Sequence, residues 1–585
     1  MKNTALKSLQ EAISKNNIDI YYMNTSDYHM SEYVPDYFKT IRYFSGFSGS
    51  LATLLVSKDD AHIFVDGRYH TQADNECLKN DVIVEKLGTN GCLEPIEFIL
   101  KNYKNKVVGL DGKRTSVSFV KSLLKHRIQI KSIDIYSDLI ENRAPLYKGK
   151  IEELPLKYTG LSRKDKLDLI KYCLGNKCHI VNNLESIAYI LNLRSKDIVC
   201  TPVFLAYLVV LNKEVYLFTD IDRFDSETLD SLYEDGIVIR PYDSYYEFLD
   251  LIKKQTILLD ENKVNYETYV HINKHGNRIH HMRSLIEDMK AIKNETEQIN
   301  LRKAHIYEGV AIVRFLMWLD EVDKTTITEY DALKKVNEIR LAYKAIDLSF
   351  NSIVAYNENA AMMHYSPSEN NTATLKNEGA LLFDIGCHYE EGTTDTTRTV
   401  ALGEVSDEFK MYFTLVLKSM FNLSELHFLK GMCGNQIDIV ARKDLWAIGV
   451  DYRCGTGHGV GYRLSVHEFP PNIRYTTNET SSVELKPGMV FSDEPGVYFE
   501  NKFGIRCENN LLCKVVENNE YGEFLGFETL TMVPFDLRLI DKKYLDEKTI
   551  NALNNYHQKV YDNLSPYLDE KEEAYLRKLT RKIWR

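Results

Sequence analysis

The sequence predicts a multidomain α/β protein. Three features carry that expectation: a length of 585 residues, helical and strand patterns alternating through residues 1–150, and a return of the same order of parts after them. One hydrophobic core does not organise so long a chain, and about 150 residues per domain gives three or four domains. The start of the chain reads as an amphipathic helix with Leu6, Leu9 and Ile13 on one face, running into a strand from Ile18 to Met23. "ATLLVSKDDAHIFVDGRY", Ala52 to Tyr69, predicts a hairpin turning at Lys58-Asp59-Asp60. The polar, proline-bearing stretch "NRAPLYKGKIEELPLKY" marks a boundary. Beyond it come a helix from Lys164 to Leu174, a strand at His179, a helix ending at "LNLRSKD" and the hairpin "VFLAYLVVLNKEVYLFTD". That order repeats the first region, either as duplication of one small α/β domain or as two independent domains of a common type.

A third region opens near residue 290 with a long helix. Asn294 is its expected N-cap and Glu297, three residues on, completes a capping box. Its apolar stripe is Ile299, Ile306, Val310, Val313 and Met317, in steps of three and four. The motif-dense span 350–513 follows, and the last stretch begins extended and ends in charged amphipathic helices. The expected domains are therefore 1–150, 151–290, 291–515 and 516–585.

Composition narrows the class. Hydrophobic residues make 44% of the chain and charged residues 27%, as in an ordinary globular protein. The net charge is −11 without basic clusters, which argues against nucleic-acid or anionic-membrane partners. The start lacks the apolar core of a signal peptide, and no apolar run has the length of a membrane span. None of the ten cysteines forms a CxxC pair, so reduced thiols in a cytoplasmic protein are expected.

"FDIGCHYEEGTTDTTRTV", residues 383–400, places two aspartates in what otherwise reads as a hairpin turning at Glu391-Gly392. A bare carboxylate inside a strand is costly. Three more stretches share the feature. His458 sits between glycines in "CGTGHGVGYRLSVHE", with His467 in a strand-like run; Glu494 ends a strand in "FSDEPGVYFE"; Glu508 lies in an apolar strand in "GIRCENNLL". Singly, each has an ordinary explanation: Asp395 in a turn, Glu494 capping Pro-Gly, Glu508 exposed, His458 a satisfied loop histidine. Together, two Asp, one His and two Glu form the oxygen and imidazole donor set of a pair of divalent ions, with bridging carboxylates holding the cations together.

These stretches resemble the pita-bread metallopeptidases, in which the ligands Asp, Asp, His, Glu, Glu occur in this order. "DIGCHYEEGTTDTTRT" carries the first pair, "GTGHGVG" the histidine, "DEPGVY" the fourth ligand and "FGIRCEN" the fifth. "YFSGFSGS", "DGRY", "LNLRSKDI", "HYSP" and "ETLTMVP" extend the similarity to the three-domain, cytosolic Xaa-Pro aminopeptidases. The resemblance implies two creatinase-like α/β domains, then a pita-bread catalytic domain with a C-terminal extension. It implies hydrolysis after an N-terminal residue that precedes proline, with two divalent ions, most simply Mn2+ (Zn2+ or Co2+ as alternatives), and a homodimer. By position, Asp395 and Glu508 bridge the ions, Asp384 binds one, and His458 and Glu494 bind the other. A water between the ions is the nucleophile, and Glu494 takes its proton.

His364 and His467 match the histidines that contact the scissile amide, Arg506 a partner of the carboxylates, and Tyr498 a wall of the proline pocket. The family histidine four residues before the metal-binding one is Cys454 here, and a thiol cannot carry imidazole's positive charge. Arg68 of "DGRY" is a candidate lip residue or a buried structural arginine. Two other readings stand beside the aminopeptidase: a prolidase-like dipeptidase or other hydrolase of this fold, and an inactive member that binds peptides or proteins without cleaving them.

Overall fold

The computed structural model describes residues 4–584. The chain divides into two compact units. One comprises Met1–Leu156 with Leu161–Glu287; the other comprises Lys157–Gly160 with Asp288–Arg585.

The first unit holds two six-stranded sheets. In one, β1 (Ile20–Asn24), β2 (Thr53–Ser57), β3 (Ala61–Val65), β4 (Ile83–Lys86), β5 (Val107–Leu110) and β6 (Gln129–Ser132) lie in the order β4-β3-β2-β1-β5-β6. In the other, β7 (Cys178–Val181), β8 (Tyr207–Val210), β9 (Val215–Phe218), β10 (Ile237–Arg240), β11 (Thr256–Leu259) and β12 (Arg278–His281) lie in the order β10-β9-β8-β7-β11-β12. The two orders are the same, each with two antiparallel and three parallel contacts, so the recurrence read from the sequence is a recurrence of topology. The expected helix forms over Thr4–Lys15 with Leu6, Leu9 and Ile13 buried, and the hairpin turns at Lys58–Asp60 as expected. Aromatic and polar contacts join the sheets into one unit. The His29 ring lies 4.5 Å from that of Tyr207, His29 Nε2 lies 2.8 Å from the Tyr242 hydroxyl, and Asn265 Nδ2 donates to the Tyr28 carbonyl.

The second unit begins with the long helix Glu295–Glu321, whose capping box is present: Asn294 Oδ1 accepts from Glu297 N–H and Glu297 Oε2 from Asn294 N–H. The expected stripe is correct only in part. Val310 and Val313 are buried, but Ile299 is 47% exposed. Leu301, Ala304 and Gly309 are buried as well, because the helix passes between packed layers and is covered on several faces. Its residues Ile312, Phe315, Leu316 and Leu319 pack on Leu381, Phe383, Ile385 and Val400.

Those last side chains face the helix from the three-stranded sheet of Ile353–Tyr356, Ala380–Ile385 and Thr396–Ala401. Strand alternation then sends Asp384, Thr397 and Thr399 to the opposite face. The register pairs Asp384 with Thr397. A second, six-stranded sheet contains Gly457–Gly459, Glu468–Ile473, Val490–Asp493, Asn509–Asn519 and Gly522–Thr529, completed by Phe428–Leu429. Two sequence expectations shift here. Glu508 lies in the break between strands Phe503–Arg506 and Asn509–Asn519, and His467 immediately precedes its strand. The reason is the same for both: a side chain aimed into a site leaves the regular ladder at a strand junction.

Helices Glu547–Leu564 and Glu570–Leu579 close the chain, with Leu553, Tyr556, Val560 and Leu564 buried against Phe413, Met420 and Phe535. His557 is fully buried and accepts from Phe535 N–H through Nε2 at 3.0 Å. Burial, then the charges of Arg398 and Arg581, pushes its pKa down to about 3. The unfolded chain takes up this proton below about 6.5 and the folded one does not until far lower, so stability is full above 6.5 and falls as pH drops from there. His557→Gln should reduce the acid sensitivity of the melting temperature between pH 7 and 5, by up to about 1.4 kcal/mol per pH unit. The same pH slope in both proteins would exclude His557 as a contributor. No helix among the described residues is long and apolar enough to cross a membrane, and all ten cysteines are free thiols.

Candidate metal centre

These two sheets of the second unit bring the predicted acids and histidine together. Donor atoms of Asp395, His458 and Glu508 all lie within 4.8 Å of one another. His458 Nε2 is 3.4 Å from both Asp395 Oδ2 and Glu494 Oε1. Asp384 joins through Arg506, whose Nη2 donates to its Oδ2 at 2.6 Å. The same guanidinium donates through Nε to the Thr397 hydroxyl (3.0 Å), which donates to Glu508 Oε2 (2.7 Å).

Local sequence explains the placement. Gly457 and Gly459 flank His458 because nothing larger fits: a Cβ would meet the Ser492 carbonyl oxygen at 1.8 Å and the Glu468 carbonyl oxygen at 2.1 Å. The Ser492 hydroxyl accepts from His458 N–H and donates to Glu494 Oε1, and Glu494 N–H is held by the Thr456 carbonyl at 2.7 Å. His458 Nδ1 contacts the Gly459 carbonyl at 2.9 Å, which assigns it the ring proton and leaves Nε2 toward the acids.

The electrostatics show what the cluster lacks. Burial, opposed by Arg506 but reinforced by Asp395 and Glu494, raises the Asp384 carboxyl to about 6. Burial, then Asp395, Asp384 and Glu494, pushes Glu508 well above the carboxylate range. His458 rises to about 9, because the Asp395 hydrogen bond and the charges of Glu494 and Asp395 outweigh its burial. Asp384 Oδ1 is buried with no hydrogen-bond partner. Four acids thus share a cleft with one guanidinium and one imidazole, and the protein alone balances only part of their charge and fills only part of their lone pairs. Oxygen and imidazole donors without a thiolate fit divalent cations such as Mn2+, and such charge would reverse the upward shifts.

The remaining predicted residues surround this cluster. The His467 ring stands edge-on to His458, centroids 4.3 Å apart. Arg506 Nη1 donates to the Tyr498 hydroxyl at 2.8 Å, and Nη2 reaches the Met363 carbonyl at 3.5 Å, tying the loop that carries half-buried His364 to the same guanidinium. Cys454 is half-buried on the loop before His458, its carbonyl held by Arg442 Nη2, and close enough to Tyr498 for thiolate charge to oppose ionisation of the phenol. Arg68 pairs with its neighbour Asp66 at 2.7 Å in the first unit.

Sequence reasoning missed Thr397, Ser492 and Asp493. Period-two alternation from Asp395 would have found Thr397, which faces the cluster two residues on. Ser492 precedes Glu494 by the same interval. Asp493 is fully buried with neither carboxyl oxygen hydrogen-bonded, and burial followed by the charge of Glu494 pushes its pKa well above the usual carboxylate range. No signal in the sequence separates it from Glu494.

Comparison with known proteins supplies the family. A model described as metallopeptidase family M24 matches residues 299–514. Two creatinase/prolidase N-terminal domain models match 6–142 and 142–297, and a C-terminal region of peptidase M24 matches 523–583. A protein named "Probable Xaa-Pro aminopeptidase P" from Pyrenophora teres f. teres is 34% identical over 97% of this chain and 90% of its own. The chain belongs to metallopeptidase family M24. Xaa-Pro aminopeptidase 1 of Dictyostelium discoideum is 34% identical to this M24 metallopeptidase, covering 97% of it and 93% of the relative. The crystal structure of X-prolyl aminopeptidase from Caenorhabditis elegans, described as a cytosolic enzyme with a di-nuclear active site, superimposes with a TM-score of 0.93. It is 29% identical and covers 99% of this chain and 100% of that one. The expected architecture of this M24 metallopeptidase, creatinase-like N-terminal parts before a pita-bread catalytic part with an extension, is borne out.

Proposed function

We propose that this M24 metallopeptidase is an Xaa-Pro aminopeptidase, releasing the N-terminal residue from peptides whose second residue is proline. The observation that carries it is the gathering of Asp395, His458 and Glu508 within 4.8 Å, in a chain similar along nearly its whole length to proteins of that name. Asp384, Asp395, His458, Glu494 and Glu508 would hold two divalent ions, manganese by the family resemblance, with Asp395 and Glu508 shared between them. The bound ions would acidify the attacking water and polarise the scissile carbonyl.

The chain's own groups do the rest. Glu494, the most exposed of the acids that contact His458 (23% of its side chain), accepts the water's proton and can pass it to the leaving nitrogen. His364 and His467 donate to the oxygen that gains charge as the amide carbon becomes tetrahedral. Arg506 keeps Asp384 ionised and orients Tyr498, a wall for the proline ring. Proline suits such a pocket because its amide has no N–H to satisfy and its ring fixes the chain's direction.

Similarity also supports domains at 1–150, 151–290, 291–515 and 516–585, and the cytosolic C. elegans enzyme supports a cytoplasmic protein. A homodimer through the C-terminal domain is supported by exposed Trp446, Ile448 and Tyr475 at the end of the helix Gly434–Trp446, where the Tyr475 ring meets that of Trp446.

The test pairs substrate with metal. Protein dialysed into Mn2+ should hold two ions by elemental analysis and cleave X-Pro-Y tripeptides. Activity confined to X-Pro dipeptides would make it a dipeptidase; two bound ions without hydrolysis of either would make it a binding protein.

A further inference from the structure

Tyr556, in the C-terminal helix Glu547–Leu564, is joined to the main chain of Glu508 through a single side chain, Arg398. Arg398 is fully buried, and its hydrogen bonds among the described residues go to neutral acceptors. Nη1 donates to the carbonyls of Thr397 (2.8 Å) and Glu508 (2.5 Å). Nη2 donates to Asn509 Oδ1 (2.7 Å), the Val533 carbonyl (2.8 Å) and the Tyr556 hydroxyl (2.8 Å). Its guanidinium carbon stands 3.8 Å from the centre of the Phe535 ring. Placing a cation here is costly, and burial holds its pKa below the ordinary arginine range.

The position of Glu508 explains what this arrangement does. Glu508 lies between two strands, so no ladder partner takes its carbonyl; Arg398 takes it instead, while its N–H goes to the Thr397 carbonyl at 3.2 Å. Arg398 is aimed in turn by the C-terminal region. The Tyr556 hydroxyl accepts from Arg398 Nη2 and from Val533 N–H (3.2 Å) and donates to the Val533 carbonyl (2.7 Å). These contacts fix where the Glu508 side chain starts, and the Thr397 hydroxyl, donating to Oε2, orients the carboxylate from there.

We propose that the C-terminal region positions the metal centre: Tyr556, acting through Arg398, fixes the main chain of Glu508, and both are positioning residues. This rests on Glu508 being a metal ligand. Tyr556→Phe keeps the ring and removes only the hydroxyl. It should weaken Mn2+ binding, measured by calorimetry, about 10–100-fold and lower kcat in step with little change in KM. Val560→Ala, one turn on in the same helix and fully buried, should lower the melting temperature without changing Mn2+ affinity.

Exchange of backbone hydrogen in the native chain needs no variant. Adding Mn2+ should slow exchange in residues 552–560 along with 506–510, and more than in the helix Glu329–Ala342, because coupling between two sites is reciprocal. Wild-type Mn2+ affinity in Tyr556→Phe, an equal loss in Val560→Ala, or protection confined to 506–510 would overturn the proposal while leaving Glu508 a ligand. Absence of bound Mn2+ in the wild type would instead overturn the ligand reading, and this one with it.

Discussion

Glu508→Gln should abolish turnover while the metal-free protein keeps its fold and melts at the same temperature or higher. The side chain is 1% exposed and accepts from the Thr397 hydroxyl, which a glutamine oxygen can replace at the same volume. Its charge is a different matter. Without cations, burial and the neighbouring Asp395, Asp384 and Glu494 raise its pKa, which means that its ionised form destabilises the folded state. Neutralising it relieves that repulsion. A cation, however, depends on the charge, and a neutral amide cannot bridge two of them. Loss of the chemical step with retained or increased stability separates a ligand from a structural acid, whose removal would lower both. Asp395→Asn should likewise abolish turnover. The measurements are bound metal, melting temperature of the metal-free protein and kcat on an X-Pro-Y peptide; near-normal kcat in either variant would show that the bridging assignment is wrong.

His364→Ala should lower kcat about 10²–10⁴-fold, the range for a lost proton or oxyanion partner, with metal content unchanged. The half-buried side chain follows Met363, whose carbonyl accepts from Arg506, so the loop stays anchored when the imidazole is removed. The expected loss therefore belongs to the reaction and not to the fold. His364→Gln retains a donor and should recover part of the rate. A rate unaffected by the alanine would make His364 a structural residue only, and the oxyanion would then depend on His467 without it.

Several parts of this protein were legible before the structure. Asn294 and Glu297 define the start of the long helix because a capping box is a local contract between neighbours. The repeated order of elements was visible between residues 1–150 and the region that follows, and the two sheets repeat their strand order. Ile299 failed because helical periodicity reports which face could be buried, not how many neighbours arrive to bury it. Glu508 failed in detail because an apolar run reads as one strand, whereas the chain breaks there to turn a carboxylate inward.

By itself the sequence determined the order of elements, the types of donor available and their likeness to M24 metallopeptidases, since these depend on residue identity and short-range spacing. Only the tertiary structure decided that Arg506 serves Asp384, Thr397 and Tyr498 at once, that Asp493 stands buried and unpaired beside Glu494, and that Tyr556 reaches Arg398 across 158 positions. The physical reason is range: a hydrogen bond acts over about 3 Å in space whatever the separation along the chain, and only packing of the sheets and helices brings those atoms within it.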